Sequence, residues 1–221
     1  MLWQWADERA PNGPAANMAV DEGLLDDLVS GTRTMPVVRL YRWDRPAVTV
    51  GRLQSWDAVA AAFPGVMLVR RPTGGRAVEH GNDLAITVAT REEWLPGIDR
   101  GVMPSYRLIA GALIDAYARA GVPAEFGRQD HAAGRSVDCF AGAARCDIVD
   151  RRTGQKLMGA AQRRVDGVIL QQMSLPAAHI GDVAQFTAAL RGTFTAAFQV
   201  SEWVEDTEVR VDQINSTSVR L

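Results

Sequence analysis

Short apolar runs joined by links of only a few residues dominate this chain, and that pattern restricts the folds open to it. VVRLYRW (37–43) alternates apolar and polar residues, and AVTVGR (47–52) follows across Asp-Arg-Pro as its expected hairpin partner. VMLVR, DLAITVA, CDIVD, QKLMGAAQRR and GVILQQMSL read as further strands, the last two joined through Val165-Asp166-Gly167. Helical spacing of apolar residues predicts a helix over 17–30 with Asn17 as its N-cap, and a short one capped by Ser55 and ended by Pro64-Gly65. Two more are expected over 105–121, stopped by Gly121 and Pro123, and over 183–198 after Asp182. Residues 124–140 lose the pattern and read as a surface loop. Hairpin-length links outnumber crossover helices. The expected fold class is therefore α+β, a mixed and largely antiparallel sheet packed with helices, in one domain spanning 1–221.

Composition narrows the function classes. A net charge of −2 argues against bulk nucleic-acid binding, which requires a basic balance. No segment approaches the roughly 20 apolar residues of a membrane span, and MLWQWADERA lacks the basic-then-apolar order of a secretion signal. The expected compartment is the cytoplasm, where Cys139 and Cys146 remain thiols. Histidines at 80, 131 and 179 do not combine with these cysteines into a metal-ligand spacing, and no metal is expected.

Three stretches carry candidate chemistry. RRPTGGRAVEHG (70–81) places Gly74 and Gly75, which admit positive φ and close ligand approach, beside Thr73 and the guanidinium groups of Arg70, Arg71 and Arg76. Strand neighbours point to opposite faces, so only one of Arg70 and Arg71 can face a pocket. The stretch reads either as a ligand-holding turn or as a hairpin with surface arginines. TGQKLMGAAQRR (153–164) holds the only lysine of the chain, Lys156, followed by small residues at 159, 160 and 161 that leave room for something flat or extended. Such a lysine can hold a carbonyl oxygen or a phosphate, or can be edge-strand charge. In SVDCFAGAARCDIV (136–149), Cys146 opens an apolar strand and fits an inert buried thiol, whereas Cys139 lies on a loop close in sequence to Arg135. Positive charge near a thiol favours the thiolate.

Together these stretches resemble the lipoate–protein ligase, octanoyltransferase and biotin–protein ligase superfamily. The carriers are RR-x-T-G-G-R-A-V-x-H (70–80), ending at His80, and G-x-K-x-x-G-x-A-Q-R (154–163), supported by NMAVDEGLL and RLYRWDRPAVTVGRLQ; the likeness runs from about Trp3 to Pro176. The resemblance implies a catalytic domain that holds a medium-chain acyl group under the Gly-Gly loop, with Gly159, Ala161 and Gln162 also against substrate and Lys156 near the acyl carbonyl. It implies an amide product on a lysine of a lipoyl domain or of the glycine-cleavage H protein. Cys139-Phe140 is similar to the catalytic-cysteine segment of the Gram-positive type octanoyltransferases, which take octanoate from acyl carrier protein through a cysteine thioester. A thioester divides one difficult acyl transfer into two easier ones, and the thiol needs a cationic neighbour, with Lys156 ahead of Arg135 or His131.

This octanoyltransferase reading needs no cofactor. An ATP- and Mg²⁺-dependent lipoate ligase is the alternative; the usual single-chain ligases carry an accessory domain for which this chain has no room, so that reading calls for a separate accessory chain. A catalytically inactive acyl- or partner-binding relative is the third. After ILQ the family usually shows His-Gly-(Ser/Thr), whereas this chain has Gln172, Met173 and Ser174. The change is expected to place a flexible methionine side chain beside the acyl tail and so to affect chain length. Cys139 favours the enzyme over the inactive relative.

Overall fold

The computed structural model describes residues 1–127 and 147–206. In chain order its elements are β1 (Leu2–Asp7), α1 (Pro14–Ser30), β2 (Val37–Tyr41), β3 (Ala47–Val50), α2 (Trp56–Ala62), β4 (Leu68–Arg70), β5 (Val78–His80) and β6 (Asp83–Arg91). There follow α3 (Val102–Arg119), β7 (Ala124–Phe126), β8 (Ile148–Asp150), β9 (Lys156–Val165), β10 (Val168–Pro176), α4 (Val183–Ala197) and β11 (Glu202–Asp206). Eight strands form one sheet in the order β11-β1-β2-β6-β10-β9-β8-β7, and β4-β3-β5 form a second, smaller one. In the large sheet β1 runs parallel to both β11 and β2, and every other pairing is antiparallel. The mixed, largely antiparallel α+β architecture is the one expected from the run pattern.

Local chemistry accounts for many of the boundaries. Ser55 accepts from the N–H of Ala58 and Asp182 from that of Gln185, so both act as N-caps. Asp166 and Gly167, at φ 48° and 77°, supply the two left-handed residues that a tight turn between twisted antiparallel strands requires. Helix α1 begins earlier than expected. Pro14 stands in its first turn, where a missing N–H costs nothing, and Gly13 is the N-cap. Asn17 is instead fully buried, and its side-chain amide donates to the carbonyls of Asn12 and Arg42.

Tertiary pairing departs from the sequence expectation in three places. Strand β3 is not the hairpin partner of β2, because β1 and β6 occupy both edges of β2. The link at Asp44–Pro46 carries the chain into the second sheet, where β3 lies between β4 and β5. The stretch 70–81 consequently does not close a hairpin: it leaves β4, returns as β5 along β3, and only then enters β6. Residues 124–126, expected as loop, form edge strand β7.

The two faces of the large sheet are covered differently. Val38, Leu40, Ile86, Val88, Ile169, Met173 and Leu175 point into a core shared with α3 and α4. On the opposite face Val37, Ala89, Val168 and Leu170 pack against Leu24, Leu25 and Leu28 of α1. Further along that face Tyr41 and Ala85 meet Met18 of α1, Trp43, and Val69 of the small sheet. Among the described residues no helix is long and apolar enough to cross a membrane.

Candidate active site

Cross-strand register sets out the floor of the site. Tyr41, Ala85, Ser174 and Gly159 form one row across β2, β6, β10 and β9; Arg39, Thr87, Gln172 and Ala161 form the next row on the same face. A cleft open to solvent lies over these rows. Its walls are largely apolar, with Met18, Tyr41, Trp43, Val78 and Ala85 among them, and the small residues Gly159 and Ala161 complete the β9 side. Thr49, Arg71, His80, Gln172 and Ser174 supply its polar groups. An apolar slot with a few convergent polar groups is the ordinary form of a small-molecule site.

The Gly-Gly loop edges this cavity at Gly75, whose Cα side comes close to Ala161: a Cβ at Gly75 would lie 3.7 Å from that of Ala161. Arg71 organises the loop from within. Its Nε and Nη2 donate to the carbonyl of Gly74, Nη2 also to that of Arg76, and Nη1 to the carbonyl and hydroxyl oxygens of Thr49. Arg70 projects elsewhere, donating to the carbonyls of Gly51, Arg52 and Gln54 beneath the Trp56 ring. The two arginines thus diverge as strand alternation requires, and both spend their donors on the scaffold. Arg76 is half-buried and has no side-chain partner among the described residues.

Beneath the loop runs a buried polar chain. Thr73 donates to Oε1 of Gln172 at 2.6 Å, and Nε2 of Gln172 donates to Asp21 at 2.6 Å. The fully buried Asp21 also accepts from Arg39, Tyr41 and Thr87, and Arg39 makes a two-bond pair with Glu8. Burial opposes the Arg39 charge, but Asp21 and Glu8 outweigh it and push the guanidinium pKa further up. Burial also drives the Tyr41 phenol well above its ordinary value, so it stays a donor to Asp21.

Of the residues singled out from sequence, Arg71, Gly75, His80, Gly159 and Ala161 line the cavity, and Thr73 and Gly74 belong to the loop that edges it. Gln162 does not. Alternation along β9 turns its side chain to the other face, where it bonds Gln171 and Ser105 of α3. Arg70 does not line it either, for the reason given above. Lys156 lies three residues before Gly159, on the order of 10 Å along the strand, and its buried ammonium pairs with Asp147 at 2.8 Å. Met173 borders the cavity, while its side chain also joins the core shared with α3 and α4. Cys139, with Cys146, His131 and Arg135, lies outside the described residues. Thr49, Tyr41, Trp43 and Asp21 were missed as site residues: only the pairing of distant strands places them here.

The sequence matches the lipoyl protein ligase A/B catalytic domain family over residues 13–218. It is 38% identical to the octanoyltransferase LipM of Kyrpidia tusciae over 182 residues, covering 77% of this chain and 65% of the relative. It is 38% identical to the protein of that name from Symbiobacterium thermophilum, covering 78% and 64%. The chain thus spans just under two thirds of the length of these curated relatives. Among solved structures, lipoate-protein ligase A bound with ATP superposes with a TM-score of 0.71 at 20% identity, covering 95% of this chain and 90% of that one. A bi-partite lipoate protein ligase from Thermoplasma acidophilum gives 0.71 at 18% identity, covering 95% and 88%. At such identities the superpositions establish the fold.

Proposed function

Because this chain belongs to the lipoyl protein ligase A/B catalytic domain family, we propose that it is an octanoyltransferase, moving an octanoyl group from acyl carrier protein to a lysine of a lipoyl domain or of the glycine-cleavage H protein. The observation that carries this reading is the apolar slot between the two sheets, edged by the Gly-Gly loop and floored by Gly159 and Ala161. A straight acyl chain fits such walls, and the bare backbone at positions 74 and 75 admits a thioester at the mouth. The curated relatives named above support transfer over ligation.

In this reading Cys139 attacks the carrier thioester carbonyl, the carrier thiol leaves, and the acyl group rests on Cys139. The acceptor lysine amine then attacks, the amide forms, and the Cys139 thiolate departs. Lys156 is the cation that favours the thiolate or polarises the carbonyl. Asp147, its partner, immediately follows the segment that contains Cys139, so the ammonium is held near where that segment rejoins the sheet. The donor is already activated, so no cofactor is required.

The test is an acceptor mass measurement under two regimes. Octanoyl carrier protein should modify a lipoyl domain without ATP or Mg²⁺, and free octanoate or lipoate with ATP should not. Modification that appears only with ATP and a free acid would replace transfer by ligation.

A further inference from the structure

Thr49, His80 and Asp83 form a buried hydrogen-bonded chain that the transfer steps above leave unused. His80 Nδ1 lies 2.8 Å from Oδ2 of Asp83, and Nε2 lies 2.9 Å from Oγ1 of Thr49. The imidazole stacks on Trp43 with ring centroids 4.0 Å apart. The carboxylate of Asp83 is further fixed by the Ser174 hydroxyl at 2.7 Å and the Gly81 N–H at 3.1 Å.

The proton positions follow from donor and acceptor capacity. A carboxylate only accepts, so Nδ1 carries the hydrogen; in the neutral imidazole Nε2 then accepts from the Thr49 hydroxyl. The Thr49 oxygen is then available to Arg71, whose Nη1 donates to it at 3.0 Å. From Arg71 through Thr49 and His80 to Asp83, every bond points the same way.

The far end of this chain sets the loop. Arg71 draws the Gly74 carbonyl onto its Nη2 at 2.6 Å, while the Arg52 N–H takes the Thr73 carbonyl at 2.8 Å. A planar trans peptide holds its N–H opposite its C=O. Anchoring the Gly74 oxygen on the guanidinium therefore turns the Gly75 N–H away from Arg71, at a residue that lines the cavity.

We propose that His80, oriented by Asp83, is a positioning residue: through Thr49 and Arg71 it holds the Gly74–Gly75 peptide so that the Gly75 N–H serves as a donor to the acyl carbonyl oxygen. His80 then acts on the reaction through the loop, in addition to bordering the cavity itself. The loop-holding half stands on the geometry alone; the carbonyl half rests on the transfer reading.

Two measurements separate these halves. Arg71 precedes Pro72 and is not a trypsin site; limited trypsin cleavage after Arg76 reports loop opening without any substrate. His80→Ala should raise it on the order of tenfold, as for one lost hydrogen bond, with cleavage after the exposed Arg9 unchanged. Should that variant fail to fold, Thr49→Val cuts the same chain. At saturating octanoyl carrier protein, His80→Ala should slow acyl loading by about 10- to 100-fold, the scale of a misplaced reacting group, with the half-saturating donor concentration moved less than about threefold. The double variant Thr49→Val/His80→Ala should lose no more than the larger single, since both act through one chain. Unchanged loop cleavage overturns the clamp, and additive losses or a shift confined to half-saturation overturn the positioning role. A wild type that never loads acyl defeats the transfer reading instead, and the cleavage arm still decides the clamp.

Discussion

The carbonyl oxygen of Gly75 stands 2.0 Å from the point that a Cβ at Gly51 would occupy. The end of β3 and the Gly-Gly loop therefore meet backbone to backbone, with no room for a side chain between them. The contact is supported on either side by the Arg52 N–H to the Thr73 carbonyl and by Arg70 to the Gly51 carbonyl.

Gly51→Ala is expected to force the loop off β3. Overpacking of this kind typically costs about 1–3 kcal/mol, so the urea midpoint should fall and acyl loading should fall with it. An unchanged midpoint would mean that the two segments separate without cost.

Cys139→Ala should abolish the octanoyl adduct seen by intact mass after mixing with octanoyl carrier protein in the absence of acceptor. Cys146→Ala should retain it. An adduct mapped to Cys146, or full transfer by the Cys139 variant, would refute the assignment.

Lys156→Ala should lower turnover by on the order of 10²–10³, the usual loss when a positioned donor to a reacting carbonyl is removed. Lys156→Arg should not restore it, because a planar guanidinium aims its donors differently from a compact ammonium. Near-wild-type turnover in a folded alanine variant would reduce Lys156 to a structural charge.

Arg39→Ala should destabilise the protein by about 3–5 kcal/mol, because it leaves the buried Asp21 and Glu8 without their cation. Chemical denaturation checks this. Asp21 would lose its counter-charge while still holding Gln172, so loop cleavage after Arg76 should rise in the same variant; a loss below about 1 kcal/mol would show that the network is not the support of the loop.

Sequence reading went furthest where the controlling interactions are local. The cap at Ser55, the helix start after Asp182, the Asp166-Gly167 turn, the alternation of Arg70 and Arg71, and the small residues at 159 and 161 depend on neighbours a few positions away, and their residue types carry the physics. The same alternation, counted onward from Gly159, would have placed Gln162 on the far face of β9.

What only the tertiary structure decided are the relations between segments far apart in the chain. Whether β3 pairs with β2 depends on whether β1 and β6 have already claimed the edges of β2, which no local propensity encodes. The use of Arg71 as an internal staple, and not as an open anion donor, depends on three carbonyls that the fold turns inward. Thr73 and Gln172 stand 99 positions apart and meet at 2.6 Å. Hydrophobic periodicity tells each strand which side to bury, but it is non-directional along the sheet; the hydrogen-bonding needs of buried groups such as Asp21, Arg39 and His80 then select one arrangement, because an unpaired polar group in that interior is costly.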